Sequence, residues 1–298
     1  MIASSRRCEN SGAWTSFSGP RRQREARGHR SIVNDSNLHL YSLAVIVGFS
    51  ILMIVLERVV PYDQQKLFRR GFWTDLVMYG ILQSYILGLL ISGIIQWVDA
   101  TSGLSRLRLV SDWPIWGQFL LFFVTHDLYI YVFHRLQHTH VLLWRTHEAH
   151  HSVADVDWVA GSRSHAIEIL INQTIEFAPI VLLGAAPEVA ILKATVDAVW
   201  GMWIHSNVGV RSGALQYVIN GPEMHRWHHA KDLAISSKNF ATKLALWDWI
   251  FGTGYLPKDA KPTAYGLSGP FPENYFRQHT YAFRPLRRRL SRNSGSTS

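Results

Sequence analysis

Cysteine is all but missing from this 298-residue chain. Cys8 is the only one, so no internal disulfide can form, and neither a cysteine-ligated zinc site nor a protein-held iron–sulfur cluster can be built. Any metal site must therefore use nitrogen and oxygen ligands. Several catalytic signatures are missing too: there is no Walker A motif, no G-x-S-x-G elbow and no dinucleotide fingerprint after a strand. The chain carries no haem-binding domain or flavin motif of its own. An excess of charge is also absent from its body. The formal +9 lies at the ends, where residues 1–35 carry seven Arg against three acids and residues 284–298 carry five Arg and no acid. Residues 36–283 balance at 18 against 18. Without a basic face on the body, no folded nucleic-acid surface is expected. The pattern predicts a basic disordered head (1–35) and tail (284–298), suited to anionic lipid, around one domain at 36–283.

What the chain does have is long apolar runs. Residues 38–56 hold no Asp, Glu, Lys or Arg over 19 positions, and residues 76–98 none over 23. At about 1.5 Å per helical residue, each can cross a hydrocarbon core of about 30 Å. A third stretch, 113–133, is interrupted by His126 and Asp127, and ionisable groups at such depth are usually functional or paired. Residues 166–183 and 189–204 form a further apolar pair around Gly184 and Pro187, read as a shallow hairpin because Glu168, Glu176, Lys193 and Asp197 lie in it. Gly88 and Gly93 suggest close helix packing within the second run. Trp247, Trp249 and Phe251 suggest an interfacial edge. The fold class predicted is an all-α integral membrane protein, a bundle of about three to five membrane helices with a cytosolic helical histidine-box cap.

Lys66, Arg69 and Arg70 favour a cytoplasmic first loop, which puts the polar region after residue 133 in the cytoplasm as well. The Arg-rich head would then lie outside. That conflict disappears if residues 1–35 are an upstream extension not made in the cell, and mass spectrometry of the native N-terminus tests it. No apolar run precedes residue 38, so a cleavable signal peptide is not expected. A bacterial inner membrane is the favoured location, with the endoplasmic reticulum as the alternative.

Histidine is concentrated. Of 15 in the chain, eight fall within residues 126–165 and three more at 225, 228 and 229. His134 and His138 are i and i+4. His147, His150 and His151 in HEAHH are i, i+3 and i+4, and HRWHH repeats that pattern with His225, His228 and His229. Such spacing stacks imidazoles on one helix face, each triplet aimed at one point. Neutral imidazole binds Fe, Zn, Cu or Ni. Eight ring nitrogens supply about four for each of two metals, twice what one tetrahedral zinc needs.

The segments HDLYIYVFHRLQH, LWRTHEAHHS, RSHAIE, WIHSN and MHRWHH…KNF…LWDWIFGTGYLP resemble the fatty acid hydroxylase/sterol desaturase superfamily, closest to its alkylglycerol monooxygenase-like branch. The resemblance spans roughly Phe72 to Tyr281. It implies a membrane-bound non-haem di-iron oxygenase that hydroxylates, or desaturates, a lipid C–H bond with O₂. Two iron ions, a separate electron donor and a fatty acyl, sterol or ether lipid substrate are implied with it. His205 matches a family position and becomes a ninth candidate ligand. His165 also matches, as a ligand or as a neighbour of one, although Ala166 stands where family members often have Pro.

Asp127, seven residues before His134, is expected to hydrogen-bond a ligand imidazole and fix its tautomer. Asn207 is a candidate to hold a water at the metals. His126, two turns before His134 and rotated about 80°, is not expected among the ligands. His140 is read as interfacial, and Arg135, Arg145 and Arg226 as facing headgroups or carboxylates. Two rivals stand beside the oxygenase. A zinc-dependent lipid hydrolase would need neither O₂ nor reductant, and a non-catalytic metal-binding or transport protein would prefer ionisable groups at mid-membrane.

Overall fold

The computed structural model describes residues 35–285, and the expected basic head and most of the tail lie outside them. Three helical stretches are long and apolar enough to cross a membrane: Asn37–Val59, Thr74–Ser102 and Ile115–Thr139. The first belongs to α1 (Asp35–Val59). The second opens as a π-helix, Thr74–Gln83, and continues as α2 (Ser84–Ser102). The third is α3 (Ile115–Thr139). Large apolar side chains such as Leu43, Val47, Ile51, Ile86 and Leu89 stay exposed on α1 and α2, as lipid-facing residues do. Gly88 and Gly93 correct one expectation: a Cβ at either would touch nothing, so neither makes a close helix contact.

His140, in an extended conformation, ends α3 and begins α4 (Val141–His151). That single break turns the chain so that HRLQH and HEAHH face one another. The hairpin expected at 166–204 forms as α5 (Ala166–Leu182) and α6 (Pro187–His205). Its turn needs Gly184, at φ 72°, where a Cβ would lie 2.9 Å from the Ser105 carbonyl. Pro187 at the first position pre-sets α6. Helix α1 lies on α6 through Ser42 Oγ and Thr195 Oγ1, 2.6 Å apart. Helix α2 buries Leu87, Ile91 and Ile95 against Ile169, Leu170 and Phe177 of α5.

Short helices close one end of the bundle. Helix α7 (Pro222–His228) carries the first four residues of HRWHH with His229 at its C-cap, followed by α8 (Leu233–Ser236), α9 (Leu246–Ile250) and α10 (Tyr275–Tyr281). The described residues contain no named strand, only isolated bridges such as Pro61 with Val208. A buried ion network braces this end. Asp75 receives Arg163 through both oxygens (2.6 and 3.0 Å) and Arg69 at 2.7 Å, and Arg69 reaches on to Asp157 at 2.7 Å.

Candidate metal centre

Nine imidazoles from four helices meet at the capped end in two adjacent groups. His134, His138, His147, His151 and His228 form one, and His150, His205, His225 and His229 the other; within each, one ring nitrogen per residue lies within 4.8 Å of the rest. All nine are the residues singled out from sequence. The division among them differs from expectation, because neither triplet aims at a single point. His147 and His151 join the first group while His150 joins the second; His228 joins the first while His225 and His229 join the second. Helical geometry explains this. Positions i and i+4 are about 40° apart, but i+3 lies about 100° from i+4, on the far side of the stripe.

The tautomers can be assigned from the outer nitrogens. A backbone carbonyl only accepts, so each Nδ1 facing one must carry the proton. His134 donates to Phe240 O (2.7 Å), His150 to Arg163 O (3.2 Å), His205 to Gly201 O (2.7 Å) and His228 to Lys238 O (2.8 Å). His147 Nδ1 lies 3.0 Å from Glu168 Oε1. The inner Nε2 atoms are therefore bare lone pairs, and they face each other. His134 and His147 Nε2 are 3.0 Å apart, and His150 and His205 Nε2 are 3.2 Å apart. Opposed lone pairs at that distance repel unless a cation lies among them. Nε2 of His138, His151 and His228 is buried with no hydrogen-bond partner, as a metal-ready nitrogen would be. Burial, with neighbouring imidazoles adding to it, holds His147, His150, His151, His225, His228 and His229 well below the ordinary 6.5. They are neutral ligands near pH 7. The donor set thus fits two divalent transition-metal ions.

The remaining expectations fare differently. Asp127 does not touch an imidazole. Its carboxylate accepts from Thr242 Oγ1 (3.0 Å), Lys243 N (3.1 Å), Leu244 N (2.9 Å) and the Trp247 indole (2.9 Å). It acts on the loop instead: Asp127 and Asp248 hold residues 240–247, from which Phe240 offers its carbonyl to His134. His165 lies outside both groups and caps α5, accepting from Ile167 N and donating to His279 O, each at 3.1 Å. Asn207 is likewise removed from the centre, because both ends of its amide bind the Asp63 backbone. Arg226 faces no headgroup; it is buried under Tyr62, donating to the carbonyls of Ser206 and Val208. His126 is not among the nine.

Two contributors escaped the sequence reading. Glu168 sits in the quoted RSHAIE segment, and its spacing from His165 was the available signal. Gly161 gave none: a Cβ there would lie 2.5 Å from His205 Nδ1, so only glycine admits that ring.

The sequence profile of the fatty acid hydroxylase family matches residues 119–253, a stretch containing all nine imidazoles. Ornithine lipid hydroxylase OlsE of Rhizobium tropici is 31% identical over 258 residues, covering 83% of this chain and 77% of that protein. Human alkylglycerol monooxygenase is 31% identical over 160 residues, 54% of this chain but only 34% of that enzyme. A very-long-chain aldehyde decarbonylase of Oryza sativa is 31% identical over 162 residues, 49% of this chain and 57% of that protein. No solved structure matches the chain. Three membrane-length helices place the histidine groups in an integral membrane protein, and the likeness to OlsE extends along most of both sequences. This chain is a membrane oxidoreductase that belongs to the fatty acid hydroxylase family.

Proposed function

We propose that the protein is an O₂-dependent lipid hydroxylase holding two iron ions, one in each histidine group, and fed by a separate electron donor. The observation that carries this reading is the pair of imidazole groups whose inner lone pairs converge while backbone carbonyls hold the outer nitrogens. When bound, a reduced iron pair supplies the electrons and the Lewis acidity that activation of O₂ demands. The chain's own part is orientation and enclosure. Phe240, Arg163, Gly201 and Lys238 carbonyls fix four rings, and Glu168 fixes a fifth. The exposed apolar faces of α1 and α2 keep the site beside hydrocarbon, where a lipid arrives without passing through water.

The substrate proposed is a membrane lipid with a polar group near the reacting carbon, the class to which ornithine lipids and alkylglycerols belong. The histidine end is proposed to face the cytosol, in a bacterial inner membrane. Metal content of purified protein, measured by inductively coupled plasma mass spectrometry, tests the centre. About two iron per chain are expected, with loss of both metal and lipid turnover in His150→Ala and in His228→Ala. Stoichiometric zinc without iron, in protein active without O₂, would instead establish the lipid hydrolase.

A further inference from the structure

A second polar layer lies deeper in the bundle. His126 on α3, Glu176 on α5 and Asp197 on α6 come together there. Each stands eight residues from a side chain at the metal centre on its own helix: His134, Glu168 and His205 respectively. Eight residues of helix span about 12 Å, so the two layers are parallel floors roughly that far apart. The deeper trio is not a third metal site, because a cation is built in. Lys193 Nζ lies 2.6 Å from Asp197 Oδ2 and 3.0 Å from His126 Nδ1, and also pairs with Glu176.

Between the floors is a cavity of about 220 Å³, lined by residues of both. That is below the roughly 300–1,000 Å³ of sites enclosing a whole small molecule, so it suits one segment of a longer chain. Its walls are mixed. Ile130, Phe133, Ile169 and Ile204 are apolar, but other lining residues hold buried nitrogens that have no protein partner, among them His126 Nε2 and Trp200 Nε1. Both are donors. An indole nitrogen can only donate. Lys193 has three N–H groups and three acceptors, His126 Nδ1 among them, which leaves the His126 proton on Nε2. A cavity meant for a bare hydrocarbon tail has no use for buried N–H groups, which are costly to leave unpaired.

We propose that this cavity receives an oxygen-bearing segment of the lipid, and that the N–H groups of His126 and Trp200 donate to a substrate ester, amide, ether or hydroxyl oxygen. They are positioning residues, setting which carbon faces the histidine groups. The inference rests on the lipid hydroxylase reading, and it makes the reacting carbon one close to the polar part of the lipid.

Equilibrium binding to the full chain in nanodiscs tests it. The probes are tritiated methyl hexadecanoate and octadecane, an alkane of the same chain length without oxygen. The wild type is expected to favour the ester by about tenfold or more. His126→Phe and Trp200→Phe should each weaken ester binding about tenfold while leaving octadecane binding and metal content unchanged. His126→Gln, which returns an N–H near the Nε2 position, should restore most of the loss. Equal binding of both probes by the wild type overturns the inference. So does an ester preference undiminished in both Phe variants, the N–H groups then being met by water. The wild-type comparison decides even if a variant fails to fold. Binding needs no turnover, so a wild type that holds zinc and oxidises no lipid would sink the hydroxylase reading while the ester preference stayed readable.

Discussion

His147 and His205 depend on neighbours that no local pattern announces. Glu168 lies on α5, 21 residues from His147, and its Oε1 is placed to accept a hydrogen bond from His147 Nδ1 at 3.0 Å. Replacing Glu168 with Ala should weaken metal affinity about 10–100-fold, and Glu168→Gln less, because the amide oxygen still accepts. Equilibrium dialysis of iron against a competing chelator measures both. Gly161→Ala drives a methyl into the His205 ring and should lower iron below two per chain, since His205 belongs to the second group. An unchanged metal count would mean the ring has room to move. Eight of the nine imidazoles were legible from their helical spacing, and His205 only from the family resemblance. The split of each triplet between two groups was not, since it depends on what faces each side of α4 and α7. His165 misled for a related reason: its place in RSHAIE looks like a ligand's, yet it caps α5.

Between residues and the whole lies the loop 238–244, which offers two carbonyls to the centre, Lys238 to His228 and Phe240 to His134. It keeps its shape because Asp127 and Asp248 accept from its backbone N–H groups and Asn239 adopts φ 57°. Asp127→Asn swaps an acceptor oxygen for a donor against groups that also donate. It should cost about 1–3 kcal/mol of stability, with iron lost from the His134 group as a consequence. Thermal unfolding of apo and iron-loaded protein separates the two, because the loss must appear in both. The membrane-length helices were visible in advance, since lipid solvation demands uncharged runs of about 20 residues. The π-helical start of the second was not, because winding there is settled by tertiary packing. Asp75 at its first turn is wholly buried against Arg69 and Arg163. Arg163 in turn gives its carbonyl to His150, so the ion network reaches the metal centre through one backbone.

For the molecule as a whole, three crossings put the end of α1, the start of the π-helix and the histidine end of α3 on one side. The contacts of Glu57 with Trp158 and Asn207 agree with that arrangement. Arg69, counted in the sequence as a topological charge, is consumed by buried acids, which leaves Lys66 and Arg70 to face the interface. Topology can be measured with single cysteines in a Cys8→Ser background. An impermeant maleimide should label position 112 in intact cells and position 259 only after permeabilisation; the reverse would turn the histidine end outward. The division of the boxes has its own consequence at this scale. Helices α4 and α7 each serve both groups, so an ion that settles one group stiffens the elements carrying the other. Iron should therefore arrive in pairs. Given one Fe(II) per chain, native mass spectrometry should find mostly bare and doubly loaded molecules, with few that carry a single ion.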